Sequence, residues 1–256
     1  MAQSTYLERG LTMLEARLQG PHPSNPSMPL AGVQPFVTLG RETGAGATTV
    51  GQLLVPLLDQ AYGAEGQGWV VLDKNLLAHA LARLHLPERL ADHLPEDKVS
   101  EIKAMVGELL GLHPPLWDLE QRVAEAILQL AHVGRVVIAG RAAYLITQSL
   151  PGGFHVKLVA PLEVRVQRIA KMLDWTAVAA EAHVRKTDLA RQRYIRTRFG
   201  RDIDDARLFD LIINTERMAP ETVAQIILQA MRGRQAPAAA ATRAKAPAAL
   251  VPAGNI

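Results

Sequence analysis

The chain has 256 residues, 48% hydrophobic and 21% charged, with no cysteine. That length suits one domain with a full core, and the missing thiols exclude disulfide scaffolds, thiolate metal sites and cysteine nucleophiles. The net charge of +3 matches the three cations Arg234, Arg243 and Lys245 of residues 234–256, which hold no acid; the neutral body before them lacks the concentrated basic face that nucleic-acid binding needs.

Apolar residues at helical spacing (Tyr6, Leu7, Leu11, Leu14, Leu18) predict a helix over 3–19, and the Pro-rich stretch 20–29 reads as a linker. A strand over 35–39 opens the main domain, followed by a glycine-rich turn and a helix over 50–61. A short strand at 69–72 ends at Asp73-Lys74. Helical segments fill 75–132, with breaks near Leu86-Pro87 and 111–115; they would form an acceptor lid or an oligomer interface, a homodimer included. A third strand over 135–140 is continuously apolar, as buried parallel strands are. A short helix at 142–150, a fourth strand at 154–159 and a helix at 161–173 come next. A long helix starts after the cap Thr176 and ends at Gly200. A fifth strand over 208–214 and a helix over 220–232 complete the domain. Beyond 233 the Ala/Pro-rich chain is expected to be disordered. The divisions are therefore 1–33, 34–232 and 233–256.

No apolar run reaches 18 residues, so no membrane span is expected, and the first residues lack the pattern of a secretory signal. The expected location is cytoplasmic. The eight histidines are scattered without a His-Glu-x-x-His pattern, and no Gly-x-Ser-x-Gly elbow is present, which disfavours a zinc site and a serine hydrolase.

Five strands alternating with helices predict an α/β fold, a parallel sheet with helices on both faces, and such sheets bind ligands at the carboxyl ends of their strands. After the first strand stands Gly40-Arg41-Glu42-Thr43-Gly44-Ala45-Gly46-Ala47-Thr48-Thr49. Glycines there turn successive amides into one concavity at a helix start, a ready phosphate site. The P-loop pattern wants Lys after its last glycine, and Ala47 stands in that place. The same spacing also serves a plain strand–turn–helix. Between Arg185 and Arg201 lie seven cations, six of them Arg, and one acid, Asp188. A solvated helix face would look the same, but Arg suits bidentate phosphate recognition and the segment precedes the last strand. Asp188, three residues before Arg191, would orient it.

The ordered set Gly40–Gly46, Leu72-Asp73-Lys74, Ile138-Ala139-Gly140-Arg141, Asp188-Leu189-Ala190-Arg191, Phe199-Gly200-Arg201-Asp202 and Phe209–Thr215 resembles the cytidylate kinase-like family, over about residues 35–230. The resemblance implies a three-layer P-loop kinase-like fold with helical acceptor and lid segments. It also implies ATP-dependent phosphoryl transfer to a nucleoside monophosphate or similar small acceptor. Gly40, Arg41, Gly44, Ala45, Gly46, Ala47, Thr48 and Thr49 would hold the donor phosphates, with Arg41 a replacement cation for the missing Lys. Thr48 or Thr49 would hold Mg²⁺; Glu42 would bind it through water or pair with Arg41. Asp73 and Arg141 would take the acceptor, with Ala142 where the family carries Asp. Arg191 and Arg198, two turns apart, would stabilise the transferring group, with Arg196 next. The alternative is a nucleotide-binding regulator that keeps the fold and has lost catalysis.

Overall fold

The computed structural model describes residues 34–63, 68–72, 123–124, 127–128, 130–132 and 134–234. The expected N-terminal helix and linker, Asp73-Lys74, most of the segments between 75 and 132 with their acceptor-lid or dimer role, and the tail past 234 lie outside the described residues.

The apolar runs form five strands: β1 (Phe36–Arg41), β2 (Val70–Leu72), β3 (Val136–Ala139), β4 (Gly153–Val159) and β5 (Leu211–Asn214). All neighbours pair in parallel, in the order β2-β3-β1-β4-β5. Phe36, Val37, Thr38 and Leu39 are essentially inaccessible because β1 is central and covered on both faces. Alternation along the strand sends Val37 and Leu39 to one face and Phe36 to the other. On the first face lie α1 (Ala47–Tyr62) and α5 (Pro220–Gly233), whose Leu54, Leu58, Val223 and Ile227 complete that core. On the second face Val70, Val136 and Ile138 meet Val123, Ile127 and Leu130. This is the expected three-layer α/β arrangement, a five-stranded parallel sheet with helices on both faces. The chain steps to one side of β1 for β2 and β3, then to the other for β4 and β5, so the carboxyl end of β1 is the topological switch point where such sheets bind ligands.

Three further helices shape the site: α2 (Ala143–Ile146), α3 (Leu162–Leu173) and α4 (Ala177–Phe199). The Thr176 hydroxyl caps α4 by accepting the Ala179 N–H at 3.3 Å, and Gly200 ends it in the left-handed region.

Several boundaries differ from expectation: α1 starts at Ala47 instead of 50, and α2 ends at Ile146 instead of 150. The fifth strand begins at Leu211, not 208, because the Asp205 carboxylate accepts the Arg207 N–H at 3.0 Å and starts a 3₁₀ turn over Ala206–Leu208. The apolar pair Leu208-Phe209 then packs beside Ala142 and Tyr144 instead of extending the strand. The last helix reaches Gly233, and Arg234 donates to the Gly153 carbonyl; these two residues are therefore not part of the expected disordered tail.

His155 on β4 gives the fold a pH dependence. Its Nδ1 lies 2.8 Å from the Thr38 hydroxyl on β1, and its backbone N–H donates to Asp210. Burial lowers the His155 pKa below its usual 6.5; Asp210 opposes this and Arg234 adds to it. The unfolded chain binds the proton more readily than the folded one. Stability is thus full above pH 6.5 and falls as pH drops below it. Melting temperatures between about pH 7.5 and 5.5 are expected to fall more steeply in the wild type than in His155→Gln.

Candidate active site

The site starts at the glycine turn between β1 and α1. Gly44 has φ +86°, and a Cβ there would stand 2.7 Å from the Arg165 carbonyl oxygen. Gly46 also has a positive φ, +90°, yet a Cβ there would meet nothing within 4 Å. The first glycine is required by crowding and conformation, the second by conformation alone. Gly44→Ala is expected to destabilise by more than the roughly 1–2 kcal/mol of left-handed strain; Gly46→Ala should cost only that strain. Thermal melts of the two variants check the order.

Four carbonyls of this segment are held by side chains from elsewhere. The Arg41 carbonyl accepts from Arg191 at 3.0 Å, Thr43 from Arg165 at 3.2 Å, Gly44 from Arg168 at 3.5 Å, and Ala45 from the Thr215 hydroxyl at 3.1 Å. A trans peptide points its N–H opposite its C=O. Fixing the carbonyls of 43 and 45 therefore turns the amides of Gly44 and Gly46 to the other side. There they join the first-turn amides of α1, which have no intrahelical acceptor. Helix-start amides favour an anion.

Asp188 on α4 ties the arm to the turn. One carboxylate oxygen accepts the Thr43 N–H and the Arg191 guanidinium, each at 2.9 Å. The other accepts from Arg165 at 2.6 Å. Arg191, with a side chain 12% exposed, also reaches the Thr43 hydroxyl at 3.3 Å. The expectation that Asp188 orients Arg191 matches this contact. The Arg165 side chain, 9% exposed, donates to the Ala160 carbonyl and lies 3.4 Å from Glu42. Glu42 in turn accepts the Ala160 N–H at 3.0 Å.

Beside the turn, a cleft opens between the carboxyl ends of β1 and β3 and helix α4. Arg41, Arg141, Lys157 and Arg191 all line it, with Gly40 and Gly140 in its floor. The Arg41 guanidinium lies directly against Gly140, so this side chain leaves the turn and crosses toward β3. Gly140, Arg141 and Ala142 have φ of 87°, 56° and 53°. Two successive non-glycine residues in that region cost about 1–2 kcal/mol each, a strain typical of functional turns. Lys157, 6% exposed on β4, is held by the Ile203 carbonyl at 2.9 Å and Asp204 at 2.7 Å, with Phe209 beside it.

The structure thus brings Gly40, Arg41, Arg141 and Arg191 to one cleft, next to the turn that carries Gly44, Ala45, Gly46, Ala47, Thr48 and Thr49. Ala47 is 4% exposed and supplies no charge; Thr48 and Thr49 are exposed on the first turn of α1. Arg198 is half-buried and Arg196 exposed, and neither lines the cleft. Arg165, Arg168 and Lys157 carry roles no motif announced, and Thr215, the last residue of the final motif, holds the Ala45 carbonyl. Arg165 and Arg168 stand three apart at the start of a helix that follows a strand's carboxyl end, and Lys157 interrupts an apolar strand. Those two placements were the available signals. Among the described residues no group of three His, Asp or Glu would hold a metal ion, and no helix is long and apolar enough to cross a membrane.

Residues 36–217 match the family described as cytidylate kinase-like. A cytidylate kinase of Pyrococcus horikoshii is 27% identical over 170 residues, covering 66% of this chain and 85% of that protein. One from Pyrococcus abyssi is 28% identical over 170 residues, 66% of this chain and 90% of that one. The crystal structure of an uncharacterised protein from Eubacterium ventriosum superposes with a TM-score of 0.55 at 18% identity, over 78% of this chain and 100% of that one; it shares the fold.

Proposed function

The chain belongs to the cytidylate kinase-like family and is a kinase-like phosphotransferase; we propose that it moves the γ-phosphoryl group of ATP to a nucleoside monophosphate, with cytidine monophosphate the first acceptor to test. One observation carries this reading. Arg191 of the arm bonds to the Arg41 carbonyl and the Thr43 hydroxyl of the turn while lining the cleft, so turn and arm form one wall. ATP lays its phosphates on the amides of 44 and 46–49. The acceptor puts its phosphate among Arg41, Arg141 and Arg191, with Asp73 assigned to the same pocket from the resemblance.

Phosphoryl transfer asks the protein for in-line placement and positive charge around the equatorial oxygens. The acceptor phosphate is already an anion, so no general base is required. Arg191 stands where the two substrates meet and stabilises the group in transit; Arg198 and Arg196 are the reserve, reached if the arm closes further. Arg41 serves the acceptor side, consistent with its guanidinium lying on Gly140.

The residues fit a magnesium ion carried by the nucleotide. Thr48 and Thr49 are exposed residues of the first turn of α1, which starts directly after Gly46. Glu42 is engaged by the Ala160 amide and Arg165, which leaves it a water-mediated role. Bound there, Mg²⁺ would neutralise charge on the donor phosphates.

The test combines isothermal titration of ATP–Mg²⁺ with a coupled phosphotransfer assay over CMP, dCMP, UMP, AMP and GMP. Turnover with one of them supports the kinase reading. ATP binding without turnover supports the regulator, which the buried Ala47 in place of a lysine favours. Neither binding nor turnover ends both.

A further inference from the structure

Tyr144 lines the cleft, and its buried hydroxyl, among the described residues, makes no hydrogen bond. The whole residue is 5% exposed. Buried hydroxyls are almost always paired, so one without a partner at a binding cleft points to a ligand that supplies it. The ring is not free to turn away. It packs on Phe209 with centroids 4.6 Å apart and the rings tilted by 41°, and Phe209 in turn lies over Gly40. A donor locked in place loses little entropy when it binds.

Two further observations bear on what it binds. The strained run Gly140-Arg141-Ala142 leads straight into α2, so Arg141 and Tyr144 enter the same cleft from one turn. The cleft is also cationic: Arg41, Arg141, Lys157 and Arg191 line it with Tyr144. Burial holds the Tyr144 pKa well above the ordinary phenol value; Arg191 opposes this, and Asp204 and Asp202 reinforce it. The hydroxyl therefore stays protonated and acts as a donor, not a base.

We propose that Tyr144 is a binding residue for the acceptor phosphate, its hydroxyl donating a hydrogen bond to an anionic oxygen held by Arg41, Arg141 and Arg191. The proposal rests on the acceptor reading above. A neutral donor among cations adds a directional bond without adding charge, which fixes the orientation of a phosphate that three guanidinium groups attract. A hydrogen bond to a charged group also outweighs one between neutral groups.

Tyr144→Phe separates this role from a structural one, using the full chain. Isothermal titration with CMP and with inorganic phosphate is expected to show Kd raised about tenfold or more for both. The melting temperature without ligand is expected to stay level or rise, because the variant deletes a hydroxyl that has no partner. A fall in melting temperature would mean that the protein itself pairs the hydroxyl, and would overturn the proposal. So would unchanged affinity for both probes, or weaker CMP binding with phosphate binding intact, which would place the hydroxyl on the nucleoside. If the wild type binds neither probe, the acceptor reading itself fails, and the inference falls with it.

Discussion

Arg191→Ala is expected to lower turnover by about 10³-fold or more while affinity for ATP–Mg²⁺ changes little. The guanidinium is held by the Arg41 carbonyl, the Thr43 hydroxyl and Asp188. It therefore needs no reorganisation when charge develops on the transferring group, which is what makes a fixed cation effective. Arg191→Lys is not expected to restore the rate, because a point charge cannot make those contacts with a planar fork. Coupled-assay values of kcat and KM, with ATP and the best acceptor, check both variants. Wild-type turnover in Arg191→Ala would remove Arg191 from the mechanism.

Asp188→Ala is expected to destabilise the protein by about 3 kcal/mol, because it strips a buried cation of its nearer carboxylate. Among the described carboxylates Arg165 then has Glu42, at 3.4 Å instead of 2.6 Å, beside its two carbonyl acceptors. The Thr43 amide and Arg191 lose the same acceptor. For a domain of this size the melting temperature should drop by roughly 6–12 °C. Adding Arg165→Met is expected to recover part of the loss, since the unpaired charge is then gone. Asp188→Asn should fall between the wild type and Asp188→Ala, as it keeps an acceptor for Thr43 but not the charge. A melt of Asp188→Ala indistinguishable from the wild type would contradict the hub role.

The strands were legible one by one. Val136–Ala139 and Val70–Leu72 are apolar throughout because a parallel strand covered on both faces has no polar side to show. The long arm was legible from its threonine cap and its terminal glycine, both local features. The fifth strand was misread at its start, where Leu208 and Phe209 look like strand residues but are taken by the Tyr144 cluster. The local mark is Asp205, whose carboxylate starts the 3₁₀ turn; the cluster that receives Leu208 and Phe209 comes from far back in the chain.

The site divides along the same line. Glycine spacing, the cation-rich arm and the order of motifs are properties of neighbours in the chain, and they disclosed the turn, Arg141, Arg191 and the family. Arg165, Arg168 and Lys157 had a mark of placement but none of role, and Tyr144 had neither, since an arginine on an amphipathic helix reads as a solvated face and a tyrosine at helical spacing reads as core. Their roles depend on β4 lying beside β1 and on α3 packing against α4. Thr43 and Asp188 are 145 residues apart, and Thr38 and His155 are 117 apart. Contacts of that span arise from strand order and helix crossing, which no short stretch of the chain encodes. The orientation of the Arg41 side chain, toward Gly140 and not over the turn, was settled at that level too.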